Sequence, residues 1–293
     1  MAWEQEGLCD SSMWTGAEDL LSAYWKNEPS AIPVGSMGYR TRTIKAGSRL
    51  EAEVYPIFGR VKQARLRAAR KNITSERQQA LNIRRSKRRL ILMLEENFSA
   101  WEDVHLTLTY AEEVDYERCV KDIGNYFRKI RRIREKRDLP ELKYLYAVGH
   151  DEDQRLHAHV IMNGGIGREE LEKIWGKGMA NCLTLQEYGN GLQGIANYLY
   201  KQNEKERVRG RRLNMRSWSG SRNLRQPREH TSDCKVSNRK VKIIAGGFQG
   251  EAKEVMEKIY PGYTLQECKV YYSDVVDGVY IRCVMRQWED VRQ

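Results

Sequence analysis

Arg155-Leu156-His157-Ala158-His159-Val160-Ile161-Met162 sets two of the chain's five histidines one residue apart in an apolar run. Side chains alternate along a β-strand, so His157, His159 and Ile161 share one face while Ala158, Val160 and Met162 take the other. Two imidazoles pointing the same way from a rigid strand suit one divalent cation, because neutral imidazole is a common metal ligand. A His-x-His pair also occurs as an ordinary packed or solvent-facing pair. The spacing alone therefore leaves both readings open.

Working outward, Val104 to Thr109 (VHLTLT) alternates strictly and predicts a strand. Tyr116 to Arg137 has the period of an amphipathic helix, with Val120, Ile123, Tyr126, Phe127, Ile130 and Ile133 on its buried side. Leu142 to Val148 predicts a second strand, joined to Leu156–Met162 by a turn too short for a parallel crossover, so that pair is antiparallel. A helix over Arg168 to Trp175, a strand over Cys182 to Gln186 and a helix over Ile195 to Arg207 follow. Upstream, Tyr39 to Tyr55 reads as a β-hairpin around Ala46-Gly47-Ser48, and the stretch ending near Glu96 has helical periodicity through Leu81, Ile83, Leu90, Leu92 and Leu94. Downstream, Val270 to Met285 is a hairpin with Asp277-Gly278 at its turn, either completing the same sheet or forming an accessory lobe. Residues 1–35 read as a weakly ordered arm with one short helix near Ala17 to Tyr24. The predicted fold class is α+β: an antiparallel β-sheet that carries the histidine face, with flanking helices.

The charge is concentrated. Lysines and arginines number 51 against 40 acids, a net charge of +11. From Arg60 to Arg89 twelve basic residues face one acid, Glu76; Arg128 to Arg137 reads RKIRRIREKR; and Lys201 to Arg228 holds ten basic residues against Glu204 and Glu206. One such run is usually a solvated helix face, but three point to a polyanionic partner, with nucleic acid the first candidate. No stretch approaches the length of a membrane-spanning helix and no signal pattern opens the chain, so no membrane and a cytoplasmic location are expected. The six cysteines form no Cys-x-x-Cys pair, which argues against a zinc ribbon or a disulfide framework, and a phosphate-binding GxxxxGK[ST] loop is absent.

Tyr198 falls in Ala196-Asn197-Tyr198-Leu199-Tyr200-Lys201, within the last predicted helix. Helical period puts Tyr198 and Lys201 on one face and turns Tyr200 away. A phenol, with a pKa of about 10, attacks phosphorus only when its proton is removed and the phosphate polarised, tasks that a metal and a nearby cation can share. The bland alternative makes Tyr198 and Tyr200 core aromatics.

With these blocks in order, the chain resembles the HUH endonucleases of rolling-circle replication, in which U stands for an apolar residue. Leu106-Thr107-Leu108-Thr109-Tyr110 resembles the family's first motif, His157-Ala158-His159 the second and Tyr198-Leu199-Tyr200-Lys201 the YxxK third. A tyrosine that follows the histidine pair is the order of replication initiators (Rep proteins) of phages, plasmids and other mobile elements. The resemblance runs from about Tyr39 to Met285 and implies an RRM-like palm. It places an HUH domain over 36–230, with a basic helical region at its start, and a hairpin-containing segment over 231–293 that can complete the same domain.

The resemblance further implies a DNA endonuclease and strand transferase. His157 and His159 would bind Mg²⁺ or Mn²⁺ at the scissile phosphate of single-stranded origin DNA. Tyr198 would attack to give a 5′-phosphotyrosine, and Lys201 would assist. For the third metal ligand, His150 is preferred, with Glu152 and His105 as alternatives, and a set of three imidazoles would favour Mn²⁺. Thr107, Thr109, Arg222, Trp218 and Tyr200 are the expected DNA contacts, the aromatics by stacking on bases. Host helicase and replication proteins are the implied partners. An HUH-class tyrosine transposase and a non-cutting nucleic-acid-binding protein of the same fold are the rivals. A histidine-triad hydrolase is a poor fit, because position 161 is Ile.

Overall fold

The computed structural model describes residues 38–57, 76–150, 156–187, 190–208, 217–246, 249–272 and 278–288. In chain order the elements are β1 (Tyr39–Ala46), β2 (Arg49–Pro56), α1 (Glu76–Asn97), β3 (Val104–Thr109), α2 (Tyr116–Lys136), β4 (Tyr144–His150), β5 (Leu156–Met162), α3 (Arg168–Trp175), β6 (Ala180–Thr184), α4 (Gln193–Val208), β7 (Ser219–Gly220), β8 (Arg228–Ser232), α5 (Asn238–Ala245), α6 (Gln249–Ile259), β9 (Tyr263–Tyr272) and β10 (Val279–Gln287). The fold is α+β, with two antiparallel five-stranded sheets and, among the described residues, no closed barrel. It divides into two compact units. One comprises Ala46–Ser48 and Ser86–Pro227; the described parts of the other come from within Met1–Lys45, Arg49–Arg85 and Arg228–Gln293.

The first of these units carries the histidines on a sheet of order β6-β3-β5-β4-β7. β5 is central, paired antiparallel to β3 on one side and β4 on the other. Period-two alternation sends Leu106, Leu108, Ala158, Val160 and Met162 to one face, where they pack with Ile123, Tyr126, Phe127 and Ile130 of α2 and Leu171 and Trp175 of α3. α2 begins where the Asp115 carboxylate accepts a hydrogen bond from the Arg118 amide at 2.7 Å, an N-cap that satisfies one of the free amides of the first turn. Its buried side includes Cys119 and Arg134, while Val120 and Ile133 are only half-buried. The reason is in the Arg134 guanidinium, which is 2 % exposed and donates to the carbonyls of Pro140 (2.6 Å), Asn163 (3.2 Å) and Gly164 (2.7 Å). A charged residue there ties the end of α2 to the exit of β5.

In the other unit the sheet order is β8-β1-β2-β10-β9, and α5 and α6 cover one face. Leu50, Ala52, Val54, Ile281, Cys283 and Met285 form its core with Val241, Ile244 and Met256. The opposite face of β2 buries charge: Glu51 is 0 % exposed and accepts from Arg49 at 2.9 Å and from Arg282 at 3.3 Å.

Two expectations change here. The Tyr39 to Tyr55 hairpin, expected in the nuclease domain, forms as β1 and β2 about Gly47 (φ 52), but pairs with β8 and β10 in the other unit. Alternation identifies a strand without saying which strand it joins, and here the partners lie more than 180 residues away in sequence. The C-terminal hairpin likewise builds this unit instead of completing the histidine sheet, and β9 starts at Tyr263 rather than Val270. The short helix expected near Ala17 to Tyr24 and the basic run over 60–75 lie outside the described residues.

Candidate active site

The face of the histidine sheet turned away from α2 carries His105, Thr107 and Thr109 of β3 and His157 and His159 of β5. Register sets His159 directly opposite Thr107 and Ala147, and His157 opposite Thr109 and Gly149. Because β5 is hydrogen-bonded on both sides, the two imidazoles are fixed by backbone geometry. They are almost fully enclosed, His157 at 6 % and His159 at 1 % exposure, with ring centroids 4.8 Å apart.

α4 packs against β4 on this side. Ala196, Leu199 and Tyr200 are buried, at positions i, i+3 and i+4, and form its packing stripe. Tyr198 falls off that stripe and is 41 % exposed. Its ring stands edge-on to His159, with centroids 4.9 Å apart and planes at 74°, and 6.3 Å from His105. Tyr200, at 2 % exposure, is a core residue, so the base-stacking role expected of it is withdrawn: its ring offers no face to a nucleobase.

His105 is closer to this cluster than its rank in the sequence suggested. His159 Nδ1 lies 3.3 Å from His105 Nε2 and 3.2 Å from Thr107 Oγ1. Burial drives the His105 imidazole down to about 4, and burial together with His157 and His105 holds His159 well below the usual histidine range. Both rings are therefore neutral near pH 7, the form in which imidazole binds metal. His159 Nε2 is buried and has no hydrogen-bond partner among the described residues. Such an orphaned nitrogen beside a second histidine fits part of a cation site. Among the described residues no group of three or more His, Cys, Asp or Glu side chains is arranged to hold a metal. The side chains of His150 and Lys201, and Glu152, lie outside the described residues.

The remaining expected contacts are scattered around this core. Arg222 is exposed on the turn after β7, which pairs with β4. Trp218 is half-buried, and its indole N–H donates to both the carbonyl and the hydroxyl of Ser86 at 3.2 Å. Sequence reasoning missed Leu183, 52 % exposed on edge strand β6 and directly opposite His105. The predicted strand boundary, two residues late, hid that register.

Fold and site together define a class: an α+β protein that sets a buried histidine pair and an exposed tyrosine on one face of an antiparallel sheet. Residues 103–206 match the family model described as Replication-associated protein, of the ORF2 and gene 2 protein type, a match consistent with a Rep-type rolling-circle replication initiator. That segment includes Thr107, His157, His159, Tyr198 and Lys201. The match supports a replication-initiator role and suggests DNA binding. No curated protein and no solved structure gives a significant match to the chain. Among the described residues no helix is long and apolar enough to cross a membrane.

Proposed function

We propose that the chain initiates rolling-circle replication by nicking and rejoining single-stranded origin DNA, with Tyr198 as the nucleophile. The observation that carries this reading is the exposed phenol of Tyr198, edge-on to buried His159, within the segment that matches the replication-associated family. Tyr198 Oη gives up its proton and bonds to the scissile phosphorus; the bond from phosphorus to the 3′ oxygen breaks, and that oxygen leaves as a hydroxyl after taking a proton. The 5′ end stays on the tyrosine. One ester replaces another, so attack by a 3′-hydroxyl on the phosphotyrosine rejoins the strand.

His157 and His159 would hold Mg²⁺ or Mn²⁺, with His150 or Glu152 as the expected third ligand. When bound, the ion would supply polarisation of the phosphate and neutralise developing charge. Lys201, one helical turn from Tyr198, would lie on the same helix face and favour the phenolate. Enclosure of the two histidines keeps them neutral and excludes water from their side of the site. Arg222 and the basic runs would bind phosphates and give an affinity that falls with salt.

The test is incubation of the full chain with labelled single-stranded oligonucleotides from the encoding element's origin region and Mn²⁺, followed by a denaturing gel. A covalent protein–DNA band that persists in Tyr200→Phe and is lost in Tyr198→Phe is the expected result. Loss in Tyr200→Phe alone would move the nucleophile, and no band across a broad origin panel would leave a non-cutting DNA-binding protein.

A further inference from the structure

His105 and Thr107 stand on the strand next to His159, and the chemistry above uses neither. A neutral imidazole carries one ring proton, and the surroundings of His159 distinguish its two positions. On Nε2 the proton would be a buried donor with no acceptor among the described residues. On Nδ1 it has two acceptors within reach, Thr107 Oγ1 at 3.2 Å and His105 Nε2 at 3.3 Å. An unmet buried donor is costly, so the arrangement selects the second position.

We propose that His105 and Thr107 hold His159 in the Nδ1–H tautomer, so that its Nε2 lone pair is kept free for a divalent cation. His105 is then a positioning residue and not the third ligand. This rests on the metal-binding reading of His157 and His159. Backbone pairing builds the device: Thr107 lies directly opposite His159, and His105 is two residues along β3 on the same face. Both acceptors are therefore delivered by strand register, without a long flexible side chain. To accept from His159, the Nε2 of His105 must be unprotonated, which puts that ring's own proton on Nδ1.

A rival arrangement uses the same short separation differently. Two ring nitrogens 3.3 Å apart could both face one cation, with His105 binding through Nε2 and His159 through Nδ1. That requires the Nε2–H tautomer of His159, whose proton would have no acceptor among the described residues.

Two measurements on the full-length protein separate these arrangements. Long-range ¹H–¹⁵N correlation of the histidine-labelled, metal-free chain reads the His159 tautomer directly. Nδ1–H is expected in the parent, with a shift toward Nε2–H in the His105→Leu/Thr107→Val pair. Mn²⁺ titration read by the paramagnetic resonance of the free ion should show weaker binding by about tenfold to a hundredfold in that double variant, the loss usual when a ligand's outer partner is removed. His105→Gln keeps a carbonyl acceptor and should restore most of the affinity, which a merely space-filling role would not predict. An Nε2–H tautomer in the parent, or unchanged Mn²⁺ affinity in the double variant, overturns the proposal while the metal reading stands. An Nδ1–H tautomer in a protein that binds no Mn²⁺ refutes the metal reading, and the proposal with it.

Discussion

Replacing Arg134 by Met keeps the aliphatic stem and removes the guanidinium that joins the end of α2 to the exit of β5. Three carbonyls, of Pro140, Asn163 and Gly164, lose their charged donor. At about 1.5–3 kcal/mol for each hydrogen bond to a charged group, the gross loss is about 5–9 kcal/mol. Against it stands the cost of burying the charge, several kcal/mol for an enclosed ion, evident in the pKa of this arginine, which burial lowers. The net expectation is a destabilisation of about 2–4 kcal/mol, because carbonyl partners compensate the buried cation well but no carboxylate touches it. Hydrogen exchange read peptide by peptide is the suitable assay, since it separates the histidine-bearing unit from the other. Amides of β3, β4 and β5 that exchange by opening of that unit should lose about thirtyfold to a thousandfold in protection. Arg134→Lys should fall between, as one ammonium cannot reach three carbonyls. Unchanged or increased protection in Arg134→Met would show that burying the charge costs more than its hydrogen bonds return, and would refute the reasoning.

Gly164→Ala should destabilise the same unit by at least about 2 kcal/mol, because its Cβ would sit 2.1 Å from the Glu102 backbone oxygen, an atom that cannot swing aside; a thermal midpoint equal to the parent's would contradict this. Glu51→Gln should cost about 3 kcal/mol in the other unit alone, since Arg49 and Arg282 keep their charges while their buried carboxylate is gone; exchange in β2 and β10 reads it, and equal loss in β5 would argue against the assignment. In metal-free protein, stability should fall as pH drops from about 6.5 to about 4. His105 is neutral in the folded state down to about 4 while the unfolded chain takes up the proton from about 6.5, so its contribution is full above that range and lost by up to about 3 kcal/mol below it. Urea titrations at pH 7 and pH 4.5 check the slope, and His105→Asn should flatten it.

Much of the histidine-bearing unit was legible because its signals are local. Alternation in VHLTLT and LHAHVIM fixed β3 and β5 to the residue, and the apolar period of α2 placed Ile123, Tyr126, Phe127 and Ile130 in the core. Helical period also separated Tyr198 from Tyr200, and their exposures differ accordingly. The second unit was not legible, since it depends on β2 finding β10 across more than two hundred residues, a choice that no local pattern encodes. Arg134 read as one more charge in a basic run; only tertiary context gives it three carbonyls. His105 was ranked low because a histidine at a strand start has no signature of its own, and its proximity to His159 exists only once β3 and β5 are in register.

The two parts of the candidate site are held by different means. β5 lies in the middle of its sheet, so the spacing of His157 and His159 cannot change without breaking hydrogen bonds to β3 and β4 at once. Tyr198 instead rides on a helix whose position depends on side-chain packing, through Ala196, Leu199 and Tyr200. A reaction that joins and later releases DNA places unequal demands on these parts. The phosphate must be held in one geometry, whereas the phenol must approach as a nucleophile and withdraw as a leaving group. A strand-borne histidine pair with a helix-borne tyrosine meets that asymmetry: small adjustments of α4 move Tyr198 relative to His159 while the sheet keeps the imidazoles, and the neighbours that orient them, in place.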